Sequence, residues 1–142
     1  MKKVNWVLVS LLGIIIGTWF IFSILQSPKW VGQSADKSWS TTYEVEHSLK
    51  ETWKGMVFWN REHEAVITEV ELSKNGVPIH GWEKDEHISG KGEYMYLSLG
   101  GAENDRDDEL NLTIHWRDEA GNYEEQIKLS PKTRFFILPR LN

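Results

Sequence analysis

Leu110-Asn111-Leu112-Thr113-Ile114-His115-Trp116, answered after a turn over Asp118 to Asn122 by Tyr123, Glu125, Ile127 and Leu129, is the stretch whose reading decides the fold. Leu110, Leu112, Ile114 and Trp116 alternate with Asn111, Thr113 and His115. In an extended chain successive side chains point to opposite faces, so this alternation describes a strand with one apolar face and one polar face. The return segment repeats the pattern, which makes the pair an antiparallel hairpin.

Working outward, the same period recurs. Trp39, Thr41, Tyr43 and Val45 share one face of an earlier segment, and Ser40, Thr42, Glu44 and Glu46 share the other. Trp53, Val57 and Trp59 alternate with Lys54, Met56 and Phe58. Val66, Thr68, Val70 and Leu72 alternate with Ile67, Glu69 and Glu71, and Asn75-Gly76 follows as a turn suited to positive φ. Val77 to Trp82 reads as a short return strand that Pro78 confines to a sheet edge. Gly90 to Gly92 resets the chain before a strand over Tyr94 to Leu99, and Thr133 to Leu138 supplies the last one. Eight tryptophans against four alanines fit pleated surfaces better than helical bundles. Seven or eight short strands with regularly spaced turns predict an all-β domain, an antiparallel sandwich, with a small β-barrel as the alternative.

The N-terminus has a different grammar. From Val4 to Leu25 there is no charged residue, and a helix of that length spans about 33 Å, enough to cross a bilayer. A cleavable signal peptide has a shorter apolar core and small residues at its cut, and Leu25-Gln26-Ser27-Pro28 offers no such site. The reading is therefore a cytoplasmic tail over 1–3, a transmembrane signal-anchor helix over 4–25, a short linker over 26–37 and an extracytoplasmic domain over 38–142. Lys2 and Lys3 beside the span favour a cytoplasmic N-terminus.

Beyond residue 26 only 14 Lys and Arg face 21 Asp and Glu, a net charge of −7. That balance argues against a sequence-independent grip on nucleic acid. Cysteine is absent, which excludes disulfides, thiolate nucleophiles and Cys-based zinc sites.

Trp30-x-Gly32-x-Ser34 with Trp39 downstream, and the hairpin Leu112-x-Ile114-x-Trp116-x-Asp118-x-x-Gly121, resemble segments of the small membrane-anchored envelope proteins of Gram-positive bacteria. The resemblance implies one immunoglobulin-like sandwich at the cell surface and implies no activity. Lipidated members carry an acylated Cys that this chain lacks.

Four features are candidates for chemistry. Gly13 and Gly17 form a G-x-x-x-G within the span, which lets another helix approach closely and points to a homodimer or a partner span. Glu103 to Glu109 is an acidic loop of the kind that supplies oxygens to Ca²⁺, but it lacks the EF-hand pattern and holds Arg106 in its middle, so a solvated loop tip is the better account. His47, His63, His80, His87 and His115 stand at spacings no zinc motif uses. Trp82, after Pro78 and Gly81, is the tryptophan expected to be exposed, where it could stack on a sugar ring or seat a protein. No nucleophile elbow, P-loop or dinucleotide fingerprint is present. No catalytic, cofactor or metal residue is assigned, and a non-enzymatic binding or accessory domain near the membrane is expected. The rivals are a regulatory partner acting through the Gly13/Gly17 face and an enzyme whose site assembles only in the fold.

Overall fold

The computed structural model describes residues 2–25, 28–46, 52–98 and 106–132, without the side chains of 2–5, 22, 24, 25, 97 and 98. His47, residues 103–105 of the acidic loop and the strand expected over 133–138 lie outside the described residues. The chain forms two compact units, one containing the N-terminal helix and one running from Ser27 to Lys132.

The helix, α1 (Lys2–Leu25), is apolar all round, and its described side chains from residue 6 to 18 are all exposed. Among the described residues no helix is long and apolar enough to cross a membrane.

The second unit is built from β1 (Lys29–Gln33), β2 (Trp39–Val45), β3 (Trp53–Trp59), β4 (Ala65–Lys74), β5 (Val77–Ile88), β6 (Glu93–Ser98), β7 (Leu110–Asp118) and β8 (Gly121–Lys132). All pairings are antiparallel, and the strands form a single sheet in the order β5-β4-β7-β8-β1-β2-β3-β6, nearly closed into a barrel. The antiparallel β architecture is as the alternation predicts. Its arrangement is a correction to the two-sheet immunoglobulin-like expectation. The reason is β8: its first nine residues pair with β7 and its last three with β1, so one long strand carries the ladder across what would have been the gap between two sheets.

β1 is a second correction. It lies within residues 26–37, read from sequence as linker, yet it fills the place between β2 and β8 and buries Trp30. Gly32 in its middle lets β1 lie close on its neighbours: a Cβ there would stand 2.7 Å from Ile127 Cγ2 and 3.0 Å from the Lys128 carbonyl.

The core lines the inside of the sheet. Leu110, Leu112 and Ile114 are buried while Asn111, Thr113 and His115 are not, as the period of β7 requires, and Trp116 is half-buried at its end. Trp39, Thr41 and Tyr43 of β2, and Trp53, Val57 and Trp59 of β3, face inward as expected. β4 departs from expectation. Ala65 and Ile67 are buried, then Val70 and Leu72, while Val66 and Thr68 are not. Both ladders of β4 shift register between Ile67 and Glu69, and that bulge changes the strand's phase halfway along. Asn75-Gly76 makes the expected turn, with φ of 51° and 79°, the two left-handed residues that favour Asn-Gly in a two-residue hairpin. β5 runs to Ile88, six residues beyond the expected end, and occupies a sheet edge, as Pro78 requires.

Candidate functional site

The two edge strands, β5 and β6, face each other across the one seam where the sheet lacks a backbone ladder. Side chains close it. Trp82 stacks on Tyr94 with centroids 5.0 Å apart, and His80 stacks on Tyr96 at 5.4 Å. The Tyr96 ring occupies the space over Gly55 of β3, where a Cβ would come within 2.5 Å of three ring atoms, and continues to Tyr43 and Trp53. Gly55 is therefore fixed by packing: any side chain there displaces the ring that bridges the seam. Burial pushes the Tyr94 phenol up, helped by the nearby Glu86 charge, and holds the His80 imidazole below its ordinary value. His80 Nε2 is buried with no hydrogen-bond partner among the described residues.

Trp82, the sequence candidate for an exposed ring, is half-buried here, with Tyr94 against it and Lys84 Nζ 6.0 Å from its centroid. Outside the seam, Met95 is exposed opposite Met56 in register.

A second aromatic surface lies at one end of the barrel. Lys29 of β1 and Lys132 of β8 are register partners, so these two strand ends lie at the same end of the sheet. The opposite end carries the turns after β1, β3, β5 and β7. There Trp39 packs on Trp59 at 4.5 Å, Trp59 on Trp116 at 4.9 Å and Trp116 on Tyr123 at 4.4 Å, the last pair inclined by only 22°. This column runs from the core to the surface: Trp39 and Trp59 are fully buried, Trp116 half-buried, and Tyr123 is 41% exposed.

Its surroundings hold it still. Trp59 Nε1 donates to the His63 carbonyl at 2.7 Å, and the His63 ring stands edge-on to Trp59. His63 Nε2 is 3.6 Å from Asp118 Oδ2, while Asp118 Oδ1 accepts from the backbone N–H groups of Ala120 and Gly121 and so fixes the β7–β8 turn. In the neighbouring loop Asp36 accepts from Ser34 Oγ, from the N–H and hydroxyl of Ser38, and from Arg61. Desolvation pushes the Asp36 carboxyl up, but the bonds from Ser38, Ser34 and Arg61 outweigh it and leave the group far below the usual carboxylate range.

The remaining sequence candidates are not brought together. Lys74 Nζ reaches Asp108 at 2.8 Å, and the Asn75 amide donates to the same carboxylate, so the described end of the acidic loop is tied to the β4–β5 turn. Glu109 accepts from Lys128 Nζ, and that bond and charge lower its pKa. His87 pairs with Glu64, and His115 lies between Glu69 and Glu124. Among the described residues no group of three or more His, Asp or Glu side chains could hold a metal ion. An ideal Cβ at Gly13 or Gly17 would meet nothing within 4 Å.

Sequence reasoning missed Tyr123 as a surface residue, since its position in the alternation of β8 marks it as inward. The signal that could have found it is its place at the first turn of the hairpin, where an inward-pointing ring passes beyond the rim of the barrel. No protein-family model, curated protein or solved structure matches the chain.

Proposed function

We propose that this protein is a single-pass membrane protein whose β domain is a non-enzymatic binding module held outside the cytoplasmic membrane. The observation that carries the proposal is the character of α1 together with its sequence. Residues 4–25 contain no charge, and Trp6, Val7, Leu8, Val9, Leu11 and Leu12 are all exposed on a helix without a polar face. An apolar surface of that kind has a stable place in hydrocarbon and none in water. The domain side of the reading draws on its rigid aromatic end, since recognition surfaces are rich in aromatic rings that lose little entropy on binding.

Fractionation tests the anchor. The full chain is expected to remain with membranes through an alkaline carbonate wash, and replacing Ile14, Ile15 and Ile16 by Glu should release it. Recovery of the wild-type chain in the wash would reject the anchor. External protease should remove the domain from wall-stripped cells while a cytoplasmic marker survives, and protection until permeabilisation would reverse the orientation.

The open faces of Gly13 and Gly17 favour a second reading, in which α1 pairs with another span. Replacing both by Ile should then lower chemical cross-linking of the intact protein in membranes, while cross-linking unchanged by the substitution would exclude it.

A further inference from the structure

Of the seven asparagines in the sequence, Asn75 alone is followed by glycine. The pair is the exposed two-residue turn between β4 and β5, closed by the register partners Lys74 and Val77, so the Gly76 N–H stands outside that ladder. A Cβ at Gly76 would meet nothing within 4 Å, so no neighbour crowds the glycine. The Asn75 amide is held on both sides. Its Nδ2 donates to Asp108 Oδ1 at 2.8 Å, and its Oδ1 accepts from the Glu109 N–H at 2.8 Å, which settles which way round the amide lies. The Asn75 N–H also donates to the Glu109 carbonyl at 2.8 Å. One residue thus fastens the chain entering β7 to the β4–β5 turn. We propose that Asn75 is a site of self-deamidation restrained by this clamp, and that its conversion releases Asp108 and Glu109 from the turn.

The reaction needs only the chain and water. The Gly76 nitrogen gives up its proton and forms a bond to Asn75 Cγ, while the Cγ–Nδ2 bond breaks and Nδ2 leaves as ammonia with that proton. The product is a five-membered succinimide. Water then adds at one of its two carbonyl carbons and breaks the bond from that carbon to the ring nitrogen. Opening at Cγ gives aspartate. Opening at the main-chain carbonyl carbon gives isoaspartate, whose chain runs through the former side chain. The sum is amide plus water to carboxylate plus ammonium, with nothing oxidised or reduced. Glycine favours the step because it has no Cβ to obstruct ring closure.

The fold restrains the same step. Closure needs Cβ and the Gly76 nitrogen on the same side of the Asn75 Cα–C bond, and the turn that Asn-Gly makes with both φ positive holds them roughly opposite. The turn must therefore open locally before the ring can form, and the bonds to Asp108 and Glu109 oppose that opening. Once conversion has occurred, the clamp cannot be remade. An aspartate at this position has no N–H to give Asp108 and sets carboxylate against carboxylate, with Lys74 Nζ, 2.8 Å from Asp108 Oδ2, left to offset both. Isoaspartate adds a methylene to the main chain of a two-residue turn. Loss of ammonia makes the change run one way, so the domain carries a timer that counts the openings of one turn.

This inference is independent of the anchor and of the binding reading. The full chain in detergent is aged at neutral pH, beside the same chain unfolded in guanidinium, and peptide mass spectrometry with separation of aspartate from isoaspartate follows each asparagine. Asn75 is expected to convert before every other asparagine in the folded chain, and more slowly there than in the unfolded one. Asp108→Ala should speed the folded-state conversion about fivefold, the weight of one hydrogen bond, and Asp108→Asn, which keeps an accepting oxygen, should lie nearer the wild type. Aged protein, separated from fresh by its added negative charge, should exchange the amide hydrogens of residues 106–110 faster. A folded-state rate equal to the unfolded one would remove the restraint, and that comparison needs no variant, so it stands whatever Asp108→Ala does to the fold. No conversion at Asn75 would reject the site, and an Asp108→Ala rate equal to the wild type would reject the clamp. Unchanged exchange over 106–110 in the aged protein would reject the release.

Discussion

Ile114 and Thr113 are neighbours in sequence with opposite surroundings, the first fully buried and the second half-buried on the outer face. Ile114→Ala is expected to lower stability by about 2–5 kcal/mol, because it opens a cavity in a packed interior. Thr113→Ala should stay within about 1 kcal/mol, since it loses some strand propensity without a void. Denaturant midpoints of the two variants decide it, and equal losses would mean the wrong face has been placed inside. His80 gives a prediction in pH. Burial alone depresses its pKa from the ordinary 6.5, so between the depressed value and about 6.5 the unfolded chain binds the extra proton and the folded one does not. The His80 contribution is therefore complete above about pH 6.5 and is lost as the pH falls through that window. His80→Phe should flatten the difference between midpoints measured at pH 7.5 and 5.5; an unchanged difference would place the titration elsewhere. Gly55 depends on a neighbour that sequence does not reveal. Its need for no side chain comes from the Tyr96 ring, which arrives from β6 some forty positions later.

Among the elements, β2, β3 and β7 were legible because each buries one face along its whole length and so writes an unbroken period of two. β4 was legible as a strand but not in its facing, since a bulge at Thr68 leaves no mark in composition while exchanging inside for outside. The consequence is an inversion that can be measured. Ile67→Ala should cost about 2–5 kcal/mol and Val66→Ala less than about 1 kcal/mol, where an unbroken alternation would have required the reverse. Thermal or chemical unfolding of the pair separates the two registers. β1 escaped sequence reasoning for another reason. It has five residues, one of them Gly32, and its role between β2 and β8 is set by partners at both ends of the domain. Trp82, expected from Pro78, Gly81 and the edge to be exposed, is half-buried because Tyr94 of β6 stacks on it across the seam, a partner that sequence does not reveal. The Trp116–Tyr123 stack was not, because nothing in a strand's period tells where the barrel's rim cuts across it.

For the molecule as a whole, residues 27–132 form one compact unit whose core is supplied by its own strands. Expressed alone they should fold into a soluble β-rich protein, and a far-UV circular dichroism spectrum dominated by helix would reject that. Neither metal nor disulfide is required by what packs inside. The unlaced seam between β5 and β6 has a further effect through strand direction. Seven successive antiparallel steps leave β5 and β6 running opposite ways, so the barrel has even parity: its two lips match each other and could be joined directly. A single guest strand cannot match both. Whichever lip it pairs with in the antiparallel sense, it must run parallel to the other, and a parallel ladder is somewhat weaker per residue. Only a hairpin, bringing two strands at once, would preserve the alternation all the way round. The opening thus discriminates by the number of strands offered, and this handicaps the lone extended segments that usually recruit exposed sheet edges into aggregates.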